Sequence, residues 1–90
     1  MAVVWIPSPL QRLAAGNTTV AVAGATLREV IDNLERVHPG FKEALLEDGR
    51  LRAGAAVAVD GNVVRAGLYE PVSDTSEIHI LPAMGGGQEG

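Results

Sequence analysis

The chain has 90 residues, no cysteine and a formal net charge of -4 at pH 7, and 47% of its residues are hydrophobic. These values predict one small domain with an aliphatic core, because only one Trp, one Tyr and one Phe accompany the many Ala, Val and Leu residues. They argue against non-specific nucleic-acid binding, which needs basic side chains to neutralise phosphates, and they exclude disulfides, Cys-based zinc sites and thiol nucleophiles.

Two strands and a helix are predicted in the first half of the chain. Residues 2–6 form a β-rich run that ends at a proline-containing segment, and residues 18–22 form a second run after a Gly-Asn turn. Thr26 and Glu29 have the spacing of a capping box, and apolar residues at helical spacing continue to Val37. A short irregular loop is expected between the two strands.

A short helix and three strands are predicted in the second half, at residues 41–46, 55–59, 62–64 and 77–83. Asp60-Gly61 is a hairpin signal between two of the strands, and segment 67–76 is typical of a loop. In the last strand, strict alternation places Ile78 and Ile80 on one face and His79 and Leu81 on the other.

The resulting ββαββ order predicts an α+β, β-grasp (ubiquitin-like) fold. Such a fold has a mixed sheet of four or five strands with one main helix across a face. A crossover through that helix would make the sheet partly parallel. Residues 1–84 are predicted to form the β-grasp domain, and residues 85–90 a flexible glycine-rich C-terminal tail.

No set of catalytic or metal-ligating side chains is indicated by the sequence. His38 and His79 are interpreted as structural or neutral, since no converging ligands accompany them. The carboxylates of the helix lie on its solvated face. The glycine run has no helix after it, which excludes a nucleotide-binding loop. Trp5 is interpreted as a packing or rim residue, with a partner surface as the alternative.

The C-terminal segment LPAMGGGQEG is the candidate functional element. Pro82 cannot donate to a ladder and disfavours helix before it, so we expect the tail to leave the last strand extended. Glycine lacks a Cβ, so a diglycine can be threaded through a slot too narrow for side chains, with its carboxylate exposed. The alternative interpretation is a disordered chain end.

Three stretches carry a family resemblance: ATLREVIDNLE, AVAVDGNVVR and EIHILPAMGGG. With this strand order, the chain resembles the ubiquitin-like sulfur-carrier proteins. These include the molybdopterin synthase small subunit, the thiamine-pathway carrier and the cysteine-biosynthesis carrier. Of these three, the chain resembles the cysteine-biosynthesis carrier most. The resemblance implies a protein co-substrate and not an enzyme. A terminal glycine carboxylate would be adenylated and converted to a thiocarboxylate that donates sulfide.

The resemblance also implies partners. A ubiquitin-activating-enzyme-like adenylyltransferase and sulfurtransferase would use ATP, no cofactor would be bound by the chain itself, and a sulfur-accepting synthase would take the sulfide. A hydrophobic patch on the exposed sheet face, near Trp5, Leu81 and Met84, is expected to dock the activating enzyme. No nucleic acid or membrane is expected.

The first residues lack a secretory-signal pattern and no apolar run reaches the ~20 residues of a membrane span, so a cytoplasmic location is expected.

The chain departs from the family pattern because Gln88, Glu89 and Gly90 follow the diglycine. By the resemblance, Gly87 is the site of adenylation and thiocarboxylate formation, and Gly85 and Gly86 are the threading residues before it. A JAMM-type zinc metalloprotease would remove the extension after Gly87. Cleavage after Gly86 is an alternative, and direct activation of Gly90 ranks last.

Two other roles are compatible with the same residues. One is a ubiquitin-like modifier conjugated through Gly87 to lysines of other proteins. The other is an interaction subunit whose tail inserts into a partner, as the molybdopterin synthase small subunit does.

Overall fold

A five-stranded mixed sheet with one long helix packed across its inner face forms the framework of the protein. The computed structural model describes residues 1–64 and 67–81. In chain order the elements are β1 (Ala2–Trp5), a first 3-10 helix (Ser8–Ala14), β2 (Thr19–Val22), α1 (Leu27–Val37), α2 (Phe41–Leu45), β3 (Leu46–Glu47), β4 (Arg50–Leu51), β5 (Ala56–Val59), β6 (Asn62–Val63), a second 3-10 helix (Gly67–Tyr69) and β7 (Glu77–Leu81).

The strand order is β2-β1-β7-β5-β6, so the last strand occupies the centre of the sheet. β7 runs parallel to β1 and antiparallel to β5, while β1–β2 and β5–β6 are antiparallel hairpins. This arrangement confirms the predicted mixed sheet, and it places the hydrogen-bonded parallel pair between the first and last strands.

Helix α1 begins at the predicted capping residue. The hydroxyl of Thr26 accepts a hydrogen bond from the amide of Glu29 at 3.2 Å, and the Glu29 carboxylate accepts one from the amide of Ala25 at 2.9 Å. Four apolar residues of the helix are at most 3% exposed and pack on the inner face of the sheet: Leu27, Val30, Ile31 and Leu34. The predicted apolar stripe is therefore the side of the helix that closes the core.

Four short elements were not predicted. Residues 8–14 form a 3-10 helix where an irregular loop was expected, because Leu10 and Ala14 are buried in the core there. A turn at Asp48-Gly49 closes a hairpin of two-residue strands, β3 and β4, which are too short to show a hydrophobic period. The second 3-10 helix lies inside the predicted loop.

Candidate functional site

The central strand β7 sets the position from which the C-terminal tail departs. Its backbone is bonded to a neighbouring strand on both sides, and Ile78 and Ile80 are only 1% and 5% exposed. Leu81, the last described residue, lies at the end of this central strand, where it pairs with Ala56 of β5. The predicted Gly85, Gly86, Gly87, Gln88, Glu89 and Gly90, with Met84, lie outside the described residues.

The outer face of the sheet, opposite α1, carries an exposed apolar patch. In the sheet register Trp5 is opposite His79, His79 is opposite Ala58, and Ala58 is opposite Val63. Leu81 lies two residues beyond His79 on the same face. We call Trp5, Val63, His79 and Leu81, with the small Ala56 and Ala58 between them, the outer-face patch.

The outer-face patch is accessible as well as apolar. Trp5, Val63 and Leu81 are 38%, 55% and 48% exposed. Large apolar side chains left in contact with water on one surface are typical of a site that a partner covers. The structure therefore places the predicted Trp5 and Leu81 on the same face.

The sequence predicted a structural or neutral role for His79, whereas the structure places this residue inside the outer-face patch. Its ring stacks on the indole of Trp5, with centroids 5.5 Å apart and an interplanar angle of 3°. The alternation of the last strand had already put His79 on the face of Leu81. The stack itself depends on the parallel pairing of the first and last strands, which the local sequence does not specify.

A polar anchor holds the beginning of β7. The Asp60 carboxylate accepts hydrogen bonds from the amide of Glu77 and from the hydroxyl of Ser76, each at 2.9 Å. Ser76 is 2% exposed, so this contact satisfies a buried hydroxyl. The hydrogen bond from the Glu77 amide, followed by that from Ser76, holds the pKa of Asp60 below its usual value. The sequence had indicated only a turn at this aspartate.

The other carboxylates with displaced pKa values are structural. A hydrogen bond from Lys42, 2.6 Å from Asp32 in an ion pair, lowers the pKa of Asp32. Backbone amides of Lys42 and Gly40 donate to Glu35 and lower its pKa, which ties α2 to α1. Both carboxylates belong to the helical layer and neither lies in the outer-face patch.

The described residues carry neither a metal-ligand cluster nor a membrane-spanning helix. Within residues 1–64 and 67–81, no group of three or more His, Asp or Glu side chains is placed to hold a metal ion. In the same part of the chain, none of the helices has the length and apolar character needed to cross a bilayer. The described geometry thus offers an exposed apolar patch and, beside it, the end of the central strand.

Comparisons with known proteins identify relatives by sequence and by fold. The sulfur carrier protein CysO of Mycobacterium tuberculosis is 34% identical over 89 residues, covering 93% of this chain and 96% of that protein. A chain in the crystal structure of the Amycolatopsis orientalis BexX/CysO complex is 36% identical and superposes with a TM-score of 0.91, over 97% of this chain and 100% of that one.

The solution structure of small archaeal modifier protein 1 from Methanosarcina acetivorans has a TM-score of 0.81 and 26% identity, over 96% of this chain and 95% of that one. These likenesses confirm the predicted β-grasp fold. The model of the ThiS family matches residues 4–87. The chain therefore belongs to the ThiS family.

Proposed function

We propose that this chain is a sulfur-carrier protein whose terminal glycine carboxylate is adenylated and then converted to a thiocarboxylate. The observation that carries the proposal is the 34% identity with a sulfur carrier protein across 93% of the chain. That relative is a CysO protein, which supports cysteine biosynthesis as the pathway that receives the sulfide. The chain acts as a protein co-substrate, and ATP is consumed by the activating partner.

The proposed reacting atom is the carboxyl carbon of Gly87. The family match ends at Gly87 and leaves 88–90 outside it, which supports a precursor whose last three residues are removed. Gln and Glu side chains would not enter a slot shaped for glycine. A JAMM-type zinc metalloprotease is the proposed processing enzyme, and cleavage would expose the Gly86-Gly87 end.

The chemistry requires activation because a carboxylate is a poor electrophile. Attack of the carboxylate on the α-phosphorus of ATP forms an acyl-adenylate and releases pyrophosphate. Hydrosulfide supplied by the sulfurtransferase partner then attacks the acyl carbon and displaces AMP, which leaves the thiocarboxylate and releases one proton. When the sulfur-accepting synthase takes the sulfide, water restores the carboxylate. The carrier supplies a deliverable end and a recognition surface.

The fold supports delivery of that end into a partner. β7 holds Leu81 at the centre of the sheet, and segment 82–87 would span at most about 20 Å if fully extended. A partner covering the outer-face patch would therefore have the tail within reach of a catalytic slot. We propose that the activating enzyme docks on Trp5 and Leu81, with Met84 extending the contact along the tail.

A truncation series tests the reacting end. Full-length chain, chain ending at Gly87 and chain ending at Gly86 would be incubated with ATP and the activating enzyme of the same organism, with pyrophosphate release as the readout. We expect activity for the chain ending at Gly87 only. Equal activity of the full-length chain would refute the proposal that the chain is a precursor. It would not contradict the carrier role, which has a separate test.

A matched pair of glycine substitutions tests the carrier role itself. In the native host, G87A should abolish the mass increment of sulfur replacing one oxygen, whereas G90A should be processed and loaded as the wild type is. Intact mass spectrometry of the purified protein measures both. Sulfur-free protein from wild-type cells supplied with reduced sulfur would contradict the proposal.

A second candidate function is that of a protein modifier conjugated through Gly87. It is favoured by the similarity to small archaeal modifier protein 1, with a TM-score of 0.81. The same activated carboxyl would then be attacked by a lysine amine. Adducts that survive a denaturing gel, and that disappear in G87A, would identify this function.

A further inference from the structure

A groove lies on the helical side of the protein, apart from the outer-face patch. Two adjoining cavities, of about 370 and 280 Å³, open between the first turn of α1, the β3–β4 hairpin and the second 3-10 helix. They share Arg28, Gly49 and Leu68 and form one groove, which we call the helix-side cleft. Cavities of this size accommodate one or two side chains of a partner.

One half of the helix-side cleft is basic although the whole chain is acidic. The smaller cavity is lined by Arg28 and Arg50 together with Leu51, Leu68 and Tyr69, and its lining contains no carboxylate. Among the described residues, the one ion pair of Arg28 is a long one, 3.9 Å from Asp32. In the part of the chain that the structure describes, Arg50 forms no ion pair. Two guanidinium groups there are thus available to an anion.

The exposure of the aromatic residue of the cleft is not accounted for by packing in the fold. Tyr69 is the only tyrosine of the chain, and it is 76% exposed on the second 3-10 helix. Tyr and Arg are the residues most enriched, with Trp, among those that dominate protein interfaces. Their combination around two leucines is the composition of an interface centre and not of an ordinary solvated surface.

We propose that the helix-side cleft binds an acidic segment of a partner protein. A carboxylate of that segment would lie between Arg28 and Arg50, since a guanidinium group can hold a carboxylate through two parallel hydrogen bonds. An adjacent apolar side chain would pack against Leu68 and Tyr69. The larger cavity is mixed in charge, with Asp32, Glu43 and Asp48 beside Lys42, so selection against basic segments comes from the smaller cavity alone. This inference goes beyond the proposed function and does not depend on it.

The position of the cleft makes it independent of the tail. The amide of Leu27 donates to the carbonyl of Glu70, and the amide of Val3 donates to the carbonyl of Ser76. The first turn of α1 and the segment that precedes β7 therefore lie at the end of the sheet where β7 begins. β7 ends with Leu81 at the other end of the sheet, so a partner in the cleft would leave Leu81 and the outer-face patch accessible.

The test is an NMR titration of the ¹⁵N-labelled full chain with the blocked peptide Ac-ELEL-NH2. The comparison peptide Ac-KLKL-NH2 has the same leucines and the opposite charge. We expect saturable amide shift changes at Arg28, residues 49–51 and residues 67–69 with the acidic peptide alone. The variant R28Q/R50Q should bind at least about tenfold more weakly, because each hydrogen bond to a charged group contributes about 1.5–3 kcal/mol.

The matched control is R12Q/R36Q, which removes two exposed arginines outside the cleft and changes the net charge equally. If R28Q/R50Q fails to fold, the single variant R50Q provides the same comparison. Equal weakening in both double variants would overturn the proposal. So would the absence of shifts at the cleft, equal shifts with the basic peptide, or the same shifts with inorganic phosphate, which would indicate a small-anion site.

Discussion

The stack between Trp5 and His79 can be tested by a double-mutant cycle on stability. The rings lie 5.5 Å apart and 3° from parallel, within the range in which aromatic pairs contribute about 0.5–1.5 kcal/mol beyond area burial. The coupling energy between W5A and H79A should therefore be about 0.5–1.5 kcal/mol. The cycle isolates this term because the separate losses of each side chain cancel.

Urea unfolding of the four proteins at one fixed pH measures the coupling, and the pair Trp5 and Val63 serves as the control. Val63 is three strand spacings from Trp5, about 14 Å, so W5A and V63A should be additive within about 0.3–0.5 kcal/mol. Coupling between W5A and H79A no larger than in the control pair would refute the reasoning. In that case the two aromatic rings of the outer-face patch would not stabilise each other.

Two further outcomes concern the framework that supports the site. G24A should lower the free energy of unfolding by at least about 2 kcal/mol, because its Cβ would lie 2.8 Å from the backbone nitrogen of Val30 at a φ of +152°. The Cβ added by G61A would meet open space, but Gly61 has a φ of +85°, so this variant should lower the free energy of unfolding by only about 1–2 kcal/mol. Thermal melts in which G61A is less stable than G24A would contradict this expectation. D60N should be less stable than the wild type at neutral pH. Because the Glu77 amide lowers the pKa of Asp60 in the folded state, the stabilisation is present above the usual value of 3.8 and is lost as the pH falls through the folded pKa. Urea unfolding should show the difference shrinking with acid, and a difference independent of pH would exclude a contribution from the charge.

Local pattern predicted most of the elements because short-range physics forms them. The capping box at Thr26 and the apolar stripe of α1 depend on residues within one or two helical turns. The alternation in β7 depends on residues two positions apart. Such signals survive in a single sequence. The first 3-10 helix and the β3–β4 hairpin lack a period of their own, and burial of residues such as Leu10 decides their structure.

For the candidate site, the sequence by itself determined the glycine-rich end, the strand that carries it and the side of that strand on which His79 and Leu81 lie. Only the tertiary structure decided that β7 is central, that Trp5 stacks on His79, and that Arg28 and Arg50 line the same cavity. The physical reason is sequence separation. Trp5 and His79 are brought together by a parallel pairing of the two ends of the chain, and its register is selected by burial of the whole core and not by any neighbouring residue.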